Sequence, residues 1–92
     1  MENLLWETPE EIVQKVAERL KLIRKRKKIT QLQLSKMSSV SYGTIKRFEI
    51  TGQISLIYLT QIALALDCVD EIRNLFTDIP YKSIEEIINE RK

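Results

Sequence analysis

The chain has no histidine, and its 92 residues include one cysteine, two glycines, two prolines and one tryptophan. Each shortage excludes something. Without histidine, the commonest general base and metal ligand is missing. Cys68 by itself forms neither an intramolecular disulfide nor a zinc site, and a lone thiol suits a reducing cytoplasm. Two separated glycines cannot make a glycine-rich phosphate loop. Glu85 and Glu86 are adjacent, so on a helix they diverge by about a third of a turn and do not pair as acid and base. The chain therefore reads as no enzyme, with no catalytic residue, metal or cofactor expected. Scarce glycine and proline leave little room for long loops. No stretch sustains period-two alternation, so the expected fold class is all-α. No apolar run reaches about 18 residues, which predicts no membrane span. Glu2 and Glu7 make the start unlike a signal peptide.

What the chain does have is enough apolar content, 43 %, for one compact core in one domain. Its net charge of +2 conceals a segregation. Residues 15–50 carry eleven Lys/Arg against two Glu, a balance of +9; residues 1–14 carry four Glu and no cation; residues 51–92 carry four Lys/Arg against seven Asp/Glu. A charge run is commonly just a solvated face. Here the basic block also contains the most structured motif in the chain, which favours a surface that meets a polyanion.

That motif is Thr30–Glu49. Thr30 is placed to cap a helix, Leu34 points inward, and Ser35 is small enough for a second helix to cross closely. Ser38 to Ser41 break the apolar pattern as a turn. Ser41 caps the next helix, which Ile45 and Phe48 fix to the core at i and i+3. Tyr42, Gly43, Lys46 and Arg47 are left facing outward on a projecting helix that can enter a major groove. This is the layout of a DNA-binding helix-turn-helix.

Elsewhere, Thr8 and Glu11 form a capping box with Pro9 at the first helical position, opening a helix that runs to about Lys27. Ile12, Val13, Val16, Leu20 and Ile23 form its apolar stripe, and Arg24 to Lys28 end it with positive charge. A loop spans Ile50 to Ser55. Ser55 caps a fourth helix, Leu56 to Leu66; Asp67 and Cys68 break it, and a fifth helix runs from about Val69 to Phe76. Pro80 interrupts, and Ser83 with Glu86 signals a short last helix, Ile84 to about Glu90. The expected division is a domain over 1–79 and a tail over 80–92. Leu4-Leu5-Trp6 reads either as a staple onto the first helix or as a partner-binding segment.

The fourth helix is apolar on two sides. Leu59, Ile62, Ala63 and Leu66 share the core face, while Ile57 and Leu64, flanked by Tyr58, lie opposite. A small domain rarely covers both sides of such a helix itself, so Ile57, Tyr58 and Leu64 are read as a subunit interface, against scattered surface aliphatics as the plain alternative.

With these residues stated, Leu20–Leu66 resembles the phage-repressor and Xre-type helix-turn-helix family. Ile29-Thr30-Gln31 with Leu34-Ser35 is similar to its helix 2, Val40-Ser41 with Thr44-Ile45 and Glu49 to its helix 3, and Ser55-Leu56 through Leu66 to its helix 4. Ser39 replaces a frequent turn glycine, Ser35 a usual alanine, and Ile50-Thr51-Gly52 is one residue longer than the usual link. The resemblance implies a five-helix lambda-repressor-like domain that represses transcription as a homodimer on a palindromic operator. It implies that Thr30, Gln31, Ser41 and Thr44 meet phosphates with Lys28 nearby, that Tyr42, Lys46 and Arg47 read bases beside Gly43, and that Arg24 and Glu49 form a structural ion pair. Phe48-Glu49, Thr51-Gly52, Ile54-Ser55-Leu56 and Tyr81 to Glu86 most resemble HipB-type antitoxins, implying a HipA-like kinase toxin as partner and autoregulation of a shared operon. A stand-alone phage-like repressor, and an interaction module that has lost DNA binding, are the alternatives.

Overall fold

A computed structural model describes residues 6–91 of the chain. Leu4 and Leu5 of the expected staple lie outside the described residues, and Trp6 is exposed. Six α-helices and no strands occur among the described residues: α1 Pro9–Arg26, α2 Gln31–Ser38, α3 Tyr42–Thr51, α4 Leu56–Ala65, α5 Val69–Arg73 and α6 Ile84–Arg91.

Local chemistry sets most helix starts. Thr8 and Glu11 exchange both capping-box hydrogen bonds at α1, and Thr30 and Gln33 do the same at α2. The Ser41 and Ser55 hydroxyls accept from the backbone N–H groups of Thr44 and Tyr58. Ser83 caps α6 by accepting from the Glu86 N–H. The ends show the consequence of scarce glycine. Lys28, Ser39, Asp67 and Phe76 all adopt positive φ between 57° and 63°, a conformation that costs a non-glycine residue about 1–2 kcal/mol. Only Gly52 fills such a position with glycine, at φ 80°.

Ala17, Leu34, Val40, Ile45, Phe48, Ile62, Ala63 and Leu66 make the buried core. Leu20, Ile23, Ile29 and Ile54 pack against its centre. The first helix keeps its expected stripe against the core at Leu20 and Ile23 and departs from it nearer its start. Ile12, Val13 and Val16 are substantially exposed, and α1 buries Ala17 and Arg24 instead. The reason is close approach: α1 crosses α3 where the side chains are smallest, at Ala17 and at Gly52, whose Cα faces the Val13 backbone. Three boundaries also differ. α3 runs on to Thr51, so the link to α4 is shorter than Ile50–Ser55; α4 ends at Ala65 with Leu66 as its C-cap; α5 stops at Arg73, and Phe76 closes the following turn in the left-handed conformation.

Candidate nucleic-acid interface

Helices α2 and α3 are held at their crossing by polar contacts that pin the turn. Ser35 donates its hydroxyl to the Val40 carbonyl at 2.7 Å, and the Ser38 hydroxyl accepts from the Val40 N–H at 3.1 Å. From α4, the Gln61 amide donates to the Ser38 carbonyl at 2.9 Å. Val40 itself is buried, so the turn is anchored by one apolar side chain and three hydrogen bonds. Ser39, with no side-chain constraint, takes the left-handed position at φ 63° where the resemblance has glycine.

A second fixture ties α1, α2 and α3 together. Arg24 grips the Glu49 carboxylate with two N–H groups, Nε to Oε2 at 2.7 Å and Nη2 to Oε1 at 2.9 Å. Its Nη1 donates to the Ile29 carbonyl at 2.8 Å, and Gln31 Nε2 donates to Glu49 Oε1 at 2.8 Å. Both charged side chains are at least nine-tenths buried. Burial raises the Glu49 carboxyl pKa, but the hydrogen bonds from Arg24 and Gln31 and the Arg24 charge outweigh it, leaving the group below the usual carboxylate range. Gln31 thus spends its amide N–H on the protein interior, and only its remaining groups at the start of α2 are available outward.

With Ile45 and Phe48 buried, the opposite side of α3 is presented to solvent. Tyr42, Gly43, Lys46 and Arg47 are all exposed there. Lys46 Nζ lies 5.2 Å from the centroid of the Tyr42 ring, a cation–π arrangement that limits the wandering of both side chains. Arg47 Nη2 donates to the Gln53 side-chain oxygen. The sequence pattern does not mark Gln53 as a site residue. It lies in a loop beyond the helix, where no periodicity flags it. A Cβ on Gly43 would meet nothing within 4 Å, so nothing inside the protein requires glycine there, although glycine is a poor helix residue.

The Ser41 hydroxyl donates to Thr44 Oγ1 at 2.7 Å while capping α3. Lys28 is exposed at the left-handed residue between α1 and α2, continuing the exposed run Lys25, Arg26 and Lys27. The basic block therefore lies at the end of α1 and along the outer side of α3. By contrast, burial raises the pKa of the half-buried Cys68 thiol at the start of α5, which makes it a poor nucleophile.

A short capped helix, a tight pinned turn and a second helix with its polar side outward define a DNA-binding helix-turn-helix domain. A helix-turn-helix family model matches residues 20–71, more than half of the chain. The chain belongs to that family, of the Xre and lambda-repressor type, whose members are DNA-binding transcription regulators. No curated protein matches it. Among the described residues, no helix is long and apolar enough to cross a membrane.

Proposed function

We propose that the protein is a sequence-specific repressor that reads a palindromic operator as a homodimer, with α3 in the major groove. The observation that carries this reading is the outer side of α3. Tyr42, Lys46 and Arg47 stand exposed and partly pre-positioned, opposite a buried Ile45 and Phe48. Arg and Lys suit the O6 and N7 acceptors of guanine, and a bidentate contact discriminates by about 1–3 kcal/mol. Thr30, Gln31, Ser41, Thr44 and Lys28 supply the phosphate contacts that set register and carry much of the affinity. Gly43 gives the DNA close access to the start of α3.

Arg47→Ala is expected to weaken operator binding by about 1–3 kcal/mol while changing binding to scrambled duplex much less. Lys28→Ala is expected to weaken both about equally and to reduce the salt slope by about one unit. Titrations of each variant on both duplexes at two salt concentrations check this. Equal losses on the two duplexes for Arg47→Ala would make it a phosphate contact. Failure of the wild type to bind any duplex from its own promoter would leave an interaction module.

One monomer reads only a few base pairs, so two half-sites roughly 34 Å apart require a dimer. The proposed interface is the outer side of α4, where Ile57, Tyr58 and Leu64 are exposed. Ile57→Asp would place an unpaired charge there. Its sedimentation should show monomer while its circular dichroism stays helical, and a variant that remains dimeric rules out this surface.

The finer reading is an antitoxin that represses its own operon together with a HipA-like kinase toxin. It is supported by the resemblance of the Phe48–Leu56 loop region and the Tyr81–Glu86 tail. It is also supported by the acidic stretch Asp67–Glu90, which offers a partner a surface of charge opposite to that of the DNA-facing block. Expression of the intact operon should recover the two proteins as one complex. Recovery of this chain alone, with unaltered DNA binding, would favour a stand-alone repressor.

A further inference from the structure

Arg47 places a long, rotamer-rich side chain on the outer side of α3. Fixing such a side chain at an interface costs affinity unless the free protein already holds it. What holds it here comes from the loop that follows the helix.

Three hydrogen bonds close a ring between residues 47 and 53. The Thr51 hydroxyl donates to the Arg47 carbonyl, one turn back, at 2.7 Å. The same oxygen accepts from the Gln53 N–H at 3.0 Å. Arg47 Nη2 then donates to the Gln53 side-chain oxygen. The backbone beneath this ring is fixed independently. Gly52 turns the chain at φ 80°, its N–H donates to the Phe48 carbonyl at 2.7 Å, and a Cβ there would strike the Val13 backbone. Gln53 therefore projects from a fixed point. Arg47 and Gln53 are both exposed, where a polar contact adds only modestly to folding.

We infer that Gln53 is a positioning residue for DNA recognition. Its amide oxygen, anchored through Thr51, holds the Arg47 guanidinium ready to read a base, so that Gln53 sets operator specificity without meeting a base itself. The inference rests on the reading of Arg47 proposed above and deepens it. Two chemical features make this contact a support and not a mask. A guanidinium fork has more N–H donors than one acceptor can use. With one Nη2 N–H on Gln53, a bidentate pair remains for O6 and N7 of guanine. An amide is also neutral, so it orients the cation without cancelling the charge that draws it to DNA, as a carboxylate there would. The neighbouring cation is treated alike: Lys46 Nζ rests 5.2 Å from the Tyr42 ring centroid, again on an uncharged partner. Tyr42 holds its cation from one turn earlier in α3, and Gln53 holds the other from beyond the helix end.

A double-mutant cycle tests this. Wild type, Gln53→Ala, Arg47→Ala and the double variant are titrated on a duplex from the protein's own promoter and on a scrambled duplex, and each is melted. Gln53→Ala is expected to weaken promoter binding about twofold to tenfold, the effect of leaving one long side chain to be ordered on binding. Binding to the scrambled duplex and the melting temperature should stay the same. In the Arg47→Ala background the same substitution should cost nothing further, because the two residues act as one unit. Losses that add across the two backgrounds would mean that Gln53 meets DNA itself, which overturns the positioning role and leaves Arg47 as a base reader. Unchanged promoter binding by Gln53→Ala overturns it as well, and tighter binding overturns it by making Gln53 a mask over Arg47. Equal losses on both duplexes with a lower melt overturn it in favour of a structural residue. Arg47→Ala losing equally on both duplexes overturns the base reading of Arg47, and the role of Gln53 with it.

Discussion

Glu49→Ala should destabilise the domain by about 3–5 kcal/mol, the usual result of stranding one charge of a buried pair. The loss falls on more than one contact. Removing the carboxylate leaves Arg24 almost wholly buried beneath α1 with two N–H groups unpaired, and it releases the Gln31 amide as well. Three helices meet at this point, so the melting temperature should fall by more than about 10 °C. Thermal or denaturant melts of the purified variant check it; a melt within a degree of the wild type would show that the pair contributes nothing. The same carboxylate makes a pH signature. Its pKa is lowered in the folded protein, so the stability it contributes is fully present above the unfolded glutamate value, about 4.3. That stability is lost as pH falls through the lower folded value. Glu49→Gln cannot titrate, so the gap in stability between wild type and this variant should shrink on acidification below about pH 4.3.

Gly52→Ala should be comparably damaging for a steric reason. A Cβ at this position would lie 2.5 Å from the Val13 carbonyl carbon, 2.6 Å from its oxygen and 2.8 Å from the Gln14 nitrogen. These are backbone atoms of α1, so no side-chain rotation relieves the clash, and α1 must move away from α3. The φ of 80° adds its own penalty for any residue with a Cβ. Overpacking at about 1–3 kcal/mol and the left-handed conformation at about 1–2 kcal/mol give an expected loss of about 2–5 kcal/mol. Gly43→Ala is the matched control, since its Cβ meets nothing within 4 Å and its melt should not fall. Chemical denaturation of both variants separates the two glycines, and equal stability of Gly52→Ala and wild type would mean that the α1–α3 crossing is looser than described.

Features governed by the nearest few residues were legible in the chain itself. Thr8, Thr30, Ser41, Ser55 and Ser83 mark helix starts because a cap needs only a hydroxyl and an N–H two or three residues on. Ile45 and Phe48 set the buried side of α3, which in turn exposes Tyr42, Lys46 and Arg47, because a helix has a fixed period. Ser39, which stands where the resemblance has a turn glycine, adopts the left-handed conformation. Tertiary structure alone decided what depends on distance across the fold. Gln53 meets Arg47 only because the chain turns sharply at Gly52. Gln61 reaches the Ser38 carbonyl from a helix 23 residues away in sequence. On α1, Leu20 and Ile23 of the apolar stripe pack against the core while Ile12, Val13 and Val16 stay exposed, because periodicity ranks positions by polarity, whereas the crossing with α3 selects them by size. Ala17 and Gly52 let the backbones close, and the larger Val13 and Val16 are displaced to the wall of an open cleft. Sequence spacing thus determined which way each helix faces locally, and packing between helices decided which of those faces is covered.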